Sequence, residues 1–270
     1  MDQEKTLYSL EITNGYVFRQ IFELYVKLVI QSVQFFFSKD VITIRTASGV
    51  KNGRKIISSV EINPDDIIKY YFNDKLADIK ETEENPAIIV EQFNINDIGN
   101  NFKSIAKTSG IYIYREKDKK IASFKILGLT TDTFWIDCAK YQSVDYDLSG
   151  FEDMTTPNIK IDIKQFCAQL KSMNKGDPEC FVFKVYSDAL VIESRNSNDT
   201  VLREGYFGKH SGDDYFTTKI NSSAVEALCK INSMAIYSIV KVYCCKDGYL
   251  KISHKIGDFG QHNIYLTEET

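Results

Sequence analysis

Several absences narrow the possibilities before any motif is considered. Four prolines and fourteen glycines in 270 residues are too few for a collagen-like or low-complexity chain, and a 43% hydrophobic content excludes a disordered one. No apolar run is long enough for a bilayer, and the acidic start MDQEKT leads into no apolar leader, so neither a transmembrane helix nor a signal peptide is expected. Lys and Arg number 33 against 37 Asp and Glu, a net charge of −4. That balance excludes a generally basic nucleic-acid coat: an acidic chain holds DNA only where its positive charge is gathered on one face.

Catalytic and cofactor signatures are missing as well. There is no GxGxxG or GxxxxGK[ST] phosphate loop and no GxSxG elbow, and three histidines leave little for a triad. The six cysteines lack the paired spacing of a zinc site, and Cys244 and Cys245, as strand neighbours, would point to opposite faces. They read as reduced thiols of a cytosolic or nuclear protein. The run from His210 to Asp214 holds nucleophile, base and acid letters side by side, whereas a triad draws them from distant parts of the chain; it reads as a solvated turn. Asp145 and Asp147 read as surface charge in an acidic linker. The chain is therefore expected to be no enzyme, with no metal and no cofactor.

What is present is strand material: 17 Phe, 16 Tyr and many Ile and Val, in thirteen short runs from 33–37 to 263–266. Helical spacing appears only in residues 16–32, 96–108, 161–174 and 222–232. Many strands with few helices argue an α+β fold of antiparallel sheets carrying helices on one face. Residues 141–158 carry four acidic residues and end near Pro157, which divides the chain into domains at 1–140 and 159–270. The halves echo one another. Phe102, Ile105, Ala106 and Lys107 match Val225, Leu228, Cys229 and Lys230, and each group precedes a strand, a turn and another strand. This order reads as an internal duplication.

The helices offer charge. Lys164, Lys171 and Lys175 fall at i, i+7 and i+11, away from the stripe of Ile163, Phe166, Cys167, Leu170 and Met173. Lys103 and Lys107 are i, i+4 neighbours on the second predicted helix, Arg19 and Lys27 share a face of the first with Glu23, and Lys230 follows Glu226. Any one of these is ordinary solvation. Side by side, the four helices would form a positive layer for sequence-independent, salt-sensitive contact with phosphates.

The C-terminal run Lys255-Ile256-Gly257-Asp258-Phe259-Gly260, closing in Tyr265-Leu266, resembles the end of the eukaryotic and archaeal sliding clamps, the proliferating cell nuclear antigen family. Residues 18–27, 102–107 and 228–230 are similar to its first, second and fourth helices, and 141–158 to its interdomain connecting loop. The resemblance implies the DNA clamp fold, two similar domains with sheets outside and two helices each on the inner face. It further implies a homotrimeric ring that encircles double-stranded DNA, is placed there by a clamp loader, and tethers DNA polymerase and other replication and repair proteins through their clamp-binding peptides. It places Arg19, Lys27, Lys103, Lys107, Lys164, Lys171, Lys175 and Lys230 toward DNA, and Met154, Pro157, Tyr265, Leu266 and Thr267 in the partner pocket. Strand 121–127 of one subunit, with Ile121, Phe124 and Ile126, is expected to pair with strand 201–207 of the next, with Leu202 and Tyr206. Two features depart from the family: Thr267-Glu268 in place of its Ala-Pro, and an insertion-like loop at 47–55. With the Ile/Asn/Lys-rich usage, they suggest a viral or protist clamp working in the nucleus or at a viral replication site. The alternative is a monomeric or dimeric processivity or late-transcription factor of the same fold that closes no ring.

Overall fold

A computed structural model of the chain describes residues 5–48, 54–79, 82, 86–128, 131–138, 148, 155–209, 215–235, 239–244 and 250–268. The first half runs β1 (Thr6–Ile12), α1 (Gly15–Lys27), β2 (Ser32–Phe37), β3 (Ile42–Ala47), β4 (Arg54–Ile62), β5 (Lys69–Phe72), β6 (Ile89–Asn94), α2 (Ile95–Phe102), β7 (Gly110–Glu116), β8 (Ile121–Leu127) and β9 (Thr131–Asp137). The second runs β10 (Ile159–Asp162), α3 (Ile163–Met173), β11 (Cys180–Val185), β12 (Ala189–Arg195), β13 (Val201–Gly208), β14 (Phe216–Asn221), α4 (Ser222–Leu228), β15 (Ile239–Cys244), β16 (Leu250–Ile256) and β17 (Gly260–Glu268). Apart from β5, the two orders are the same.

The sheets repeat too. Strands β6-β2-β3-β4 lie in the same order as β14-β11-β12-β13, and β1-β7-β8-β9 as β10-β15-β16-β17. All pairings are antiparallel. In the middle, β4 pairs with β17 from Ile62↔Gly260 to Arg54↔Glu268, fusing strands of both halves into one eight-stranded sheet. One cluster of buried apolar residues runs through both halves.

Local sequence explains the helices. On α1, Val17, Phe18, Ile21, Phe22, Leu24 and Tyr25 form the buried face. Phe22 meets Tyr25, Phe35 and Phe102 at ring separations of 5.6, 6.3 and 5.1 Å. Three helices start on side-chain caps that satisfy otherwise unpaired amides: Asn94 accepts from Asn96 N (2.8 Å), Asp162 from Lys164 N (2.9 Å) and Gln165 N (3.0 Å), and Asn221 from Ala224 N (2.8 Å).

The structure corrects several sequence expectations. All four helices are shorter than their periodic patterns. Helix α1 stops at Lys27, where Ile30 N bonds to Tyr25 O and Val29 N to Val26 O, a closing turn that frees Ser32 to begin β2. Helix α2 ends at Phe102, so Lys103 is its C-cap and Lys107 lies beyond a turn; the two are not neighbours on a helix. Residues 159–162, partly assigned to the third helix, form β10, and Asp162 then caps α3. Four strands were missed: β1, β5, β6 and β10. In β1 and β6 the polar residues Thr6, Ser9, Glu91 and Gln92 are themselves buried, which hides the alternation of a half-buried strand.

Candidate functional site

The four helices form one layer. Helix α1 packs against α2 on one side and α4 on the other, and α3 packs against α4. Gly99 of α2 allows the closest approach to α1, because a Cβ there would meet Val26 at 3.2 Å. A hydrogen bond from Ser233 Oγ to Gln20 Oε1 (2.7 Å) ties the turn after α4 to α1 across the two halves.

Between α1, α3 and α4 the layer holds a depression of about 580 Å³ whose walls carry Lys27, Lys171, Lys175 and Lys230. The predicted basic residues thus divide. These four, from both halves of the chain, converge on one place, although Lys175 lies in the one-turn helix after α3 and Lys230 just past α4. Glu226 is the acidic residue in that wall, and it accepts from Asn174 Nδ2 (3.3 Å). The half-buried Cys229 thiol lies there as well; burial pushes it up to about 11, so it stays a neutral thiol. The other four stand outside. Arg19 is a strut, with Nε 2.7 Å from Glu23 and an NH group donating to Ile105 O at 3.1 Å. Lys103 donates to Asn100 Oδ1 (2.9 Å), Lys107 is exposed beyond α2, and Lys164 sits exposed in the first turn of α3.

A second feature lies on the opposite face of the eight-stranded sheet. Tyr265 on β17 sits across from Ile57 on β4, which sits across from Ala47 on β3, and Leu148 of the connecting segment packs on them. Lys251 lies over the rings of Tyr243 and Tyr265 at 5.2 and 5.6 Å. Of the expected pocket residues, Tyr265 belongs to this cluster. Leu266 is in the main core, because neighbours on a strand face opposite ways. Pro157 is half-buried just before β10, Thr267 pairs in register with Lys55, and Met154 falls outside the described residues. Ile57, Ala47 and Leu148 were not singled out from the sequence, since a lone apolar residue carries no signal until strands bring it beside others.

The third feature is a pair of sheet ends. The expected interface strand β8 lies inside its sheet between β7 and β9, and Phe124 and Ile126 point into the core, so they cannot form an edge. The edge is β9, with Trp135 62% exposed. At the other end β13 is an edge as expected, and Val201, Leu202 and Tyr206 are 39%, 42% and 62% exposed.

Among the described residues, no group of three or more His, Cys, Asp or Glu could hold a metal ion, and no helix is long and apolar enough to cross a membrane. No protein-family model matches the sequence, and no curated protein does. Solved structures do. A proliferating cellular nuclear antigen from Entamoeba histolytica superposes with a TM-score of 0.73 at 11% identity, over 98% of this chain and 100% of that one. The PCNA2–PCNA3 complex from Sulfolobus tokodaii gives 0.69 at 13% identity, over 96% and 98%. At such identities the agreement is one of fold: the chain has the α+β DNA-clamp architecture, end to end.

Proposed function

We propose that this chain is the subunit of a DNA sliding clamp, a non-enzymatic ring of three copies around duplex DNA. Such a ring works at the replication site, nuclear or viral. Topology carries the reading. Within the chain, the edge β4 of one half joins the edge β17 of the other. Their counterparts by strand order, β13 and β9, stand at sheet ends with large apolar side chains exposed. Exposed edges with apolar side chains invite pairing, and a head-to-tail contact between unlike edges closes into a ring when its rotation allows. Pairing β9 of one copy with β13 of the next would repeat the junction the chain already contains. The lysine-lined depression supports the same reading, since it puts positive charge on the helical face of an acidic protein, the face that would line the hole.

DNA is then held by enclosure, and the lysines need only follow the phosphates without reading sequence. The Tyr265–Ile57–Ala47–Leu148 cluster is the proposed seat for the apolar and aromatic anchors of clamp-binding peptides from DNA polymerase and other partners. A clamp loader would open the ring at β9–β13.

Light scattering coupled to size exclusion tests this across a range of concentrations. A stable mass of about 93 kDa, three times 30.9 kDa, is expected. A mass near one or two subunits at every concentration would replace the ring by an open processivity or late-transcription factor held on DNA by charge alone.

A further inference from the structure

One place where the two halves differ is buried. The cross-strand pair between β8 and β9 is Phe124↔Phe134, stacked with ring centroids 5.4 Å apart. At the corresponding position between β16 and β17 the pair is His254↔His262. Each pair is followed by an isoleucine, Ile126 or Ile256, two residues on, facing Asp132 or Gly260.

The histidines join a chain of polar groups that crosses from one half to the other. His254 Nδ1 lies 3.2 Å from the Lys255 carbonyl, His254 Nε2 lies 3.0 Å from His262 Nδ1, and His262 Nε2 lies 2.8 Å from Ser58 Oγ on β4. Ser58 Oγ is 3.0 Å from the Tyr25 hydroxyl on α1. Burial keeps both rings neutral. A carbonyl only accepts, so His254 carries its proton on Nδ1 and accepts at Nε2. His262 then donates from Nδ1, and its Nε2 accepts from the Ser58 hydroxyl. The four side chains are buried, so the bonds they make to one another are shielded from water.

The open edges lack this chemistry. The registers Phe35↔Ile44↔Val60 and Phe183↔Ile192↔Gly205 set Gly205 of β13 where β4 has Val60, and so Arg203 where β4 has Ser58. Opposite Val60 stands His262; the same place on β9 is held by Phe134. Arg203 donates to Ser172 O (2.6 Å), and Gly205 sits so close under Gln169 that a Cβ would lie 2.6 Å from it. Each edge therefore fits one partner. Phe134 would meet Gly205 of β13 with the Gln169 side chain over it, and His262 finds a hydroxyl on β4. Exchanged, His262 would meet the bulky, charged Arg203 in place of the Ser58 hydroxyl, and Ser58 would face Phe134 and keep Tyr25 but lose the ring nitrogen.

We infer that the Ser58–His262 bond, held by Tyr25 and His254, is the specificity element that commits β17 to β4 of its own chain and denies it to the β13 edge of another copy. This rests on the proposed β9–β13 closure, because only then do two similar junctions coexist and need to be told apart. Copies would otherwise exchange edges and link into open chains.

Full-length chains with reporter cysteines test it. Copies carrying Gln261→Cys are mixed with copies carrying Tyr206→Cys and oxidised, and the 261–206 disulfide is quantified by peptide mass, which separates it from links made by native cysteines. The yield should be at least tenfold higher in the His254→Phe/His262→Phe background, which copies the other half, than with the histidines present. Ser58→Ala, which keeps both rings, should raise it by a smaller factor and provides the test if the double variant does not fold. Equal yields in the native and variant backgrounds overturn the inference. A parallel mixture of Thr133→Cys with Tyr206→Cys copies reports the β9–β13 contact. If that link forms while the 261–206 yield stays flat, the specificity role alone fails. If it forms in no background, the ring reading fails and this inference with it.

Discussion

At the scale of single residues, function and stability rest on groups whose setting no local pattern announces. The lysines were visible in the sequence, yet which of them act together was not. Lys27, Lys171, Lys175 and Lys230 meet because α1, α3 and α4 pack side by side, whereas Arg19 is engaged by Glu23 and a carbonyl. Replacing the four groove lysines with Glu should cut retention on duplex DNA and lower its salt slope by about one for each phosphate that is no longer neutralised. The same change at Lys103, Lys107 and Lys164 should cost less, and filter binding over a salt series compares the two sets. The histidines make a second prediction. His254 is lowered to about 4 by burial, and His262 is lowered for the same reason and by His254. Between that range and the ordinary value near 6.5 the unfolded chain binds more protons than the folded one. Stability should therefore be full above about pH 6.5 and fall as pH drops toward 4, by up to about 1.4 kcal/mol per pH unit for each ring. Urea unfolding at pH 5 and pH 7.5 measures it, and a pH-independent midpoint would contradict the buried, neutral pair.

At the scale of elements, the sequence marked where helices and strands occur better than where they end. Apolar periodicity continues past the end of α1 because Leu28 and Ile30 extend its stripe, but the backbone turns. Val29 has a φ of 56° in that turn and is 81% exposed. A β-branched residue is strained there and packs against little, whereas glycine adopts this conformation freely. Val29→Gly should stabilise the protein by about 1 kcal/mol, the strain relieved being partly offset by the greater freedom of glycine in the unfolded chain. Its denaturation midpoint, with an unchanged slope, is the measurement. Phe22→Ala should cost about 3–5 kcal/mol, because Phe22 is the ring at which α1, α2 and β2 meet.

At the scale of the whole molecule, the proposed assembly depends on two edges that lie far apart in one chain. Trp135→Glu on β9 would put a charge into an apolar contact and should reduce the native mass from three subunits to one, while far-UV circular dichroism stays unchanged. Leu202→Lys on β13 should do the same from the other side. Variants that remain trimeric would show that copies meet elsewhere. The resemblance had pointed to β8, which lies inside its sheet, whereas the edge is β9. Strand β8 is the more hydrophobic run, and the edge β9, with Thr131, Asp132 and Thr133, looks from composition like the end of a domain rather than a contact.

The sequence alone determined the fold class, the order of most of the elements and the duplication, because these depend on apolar periodicity, caps and turns that act within a few residues. The Lys255–Gly260 turn and the Tyr265-Leu266 close were enough to suggest the clamp architecture that the superpositions bear out. Only the tertiary structure decided which strands are edges, which lysines share a depression, and that the buried pair at one junction is His254–His262 where the other half has Phe124–Phe134. Each of these depends on residues more than a hundred positions apart in places, such as Ser58 and His262, coming within hydrogen-bonding distance. Pairing of strands, not local preference, sets that proximity, and a strand's sequence says which face is buried without saying which neighbour lies beside it.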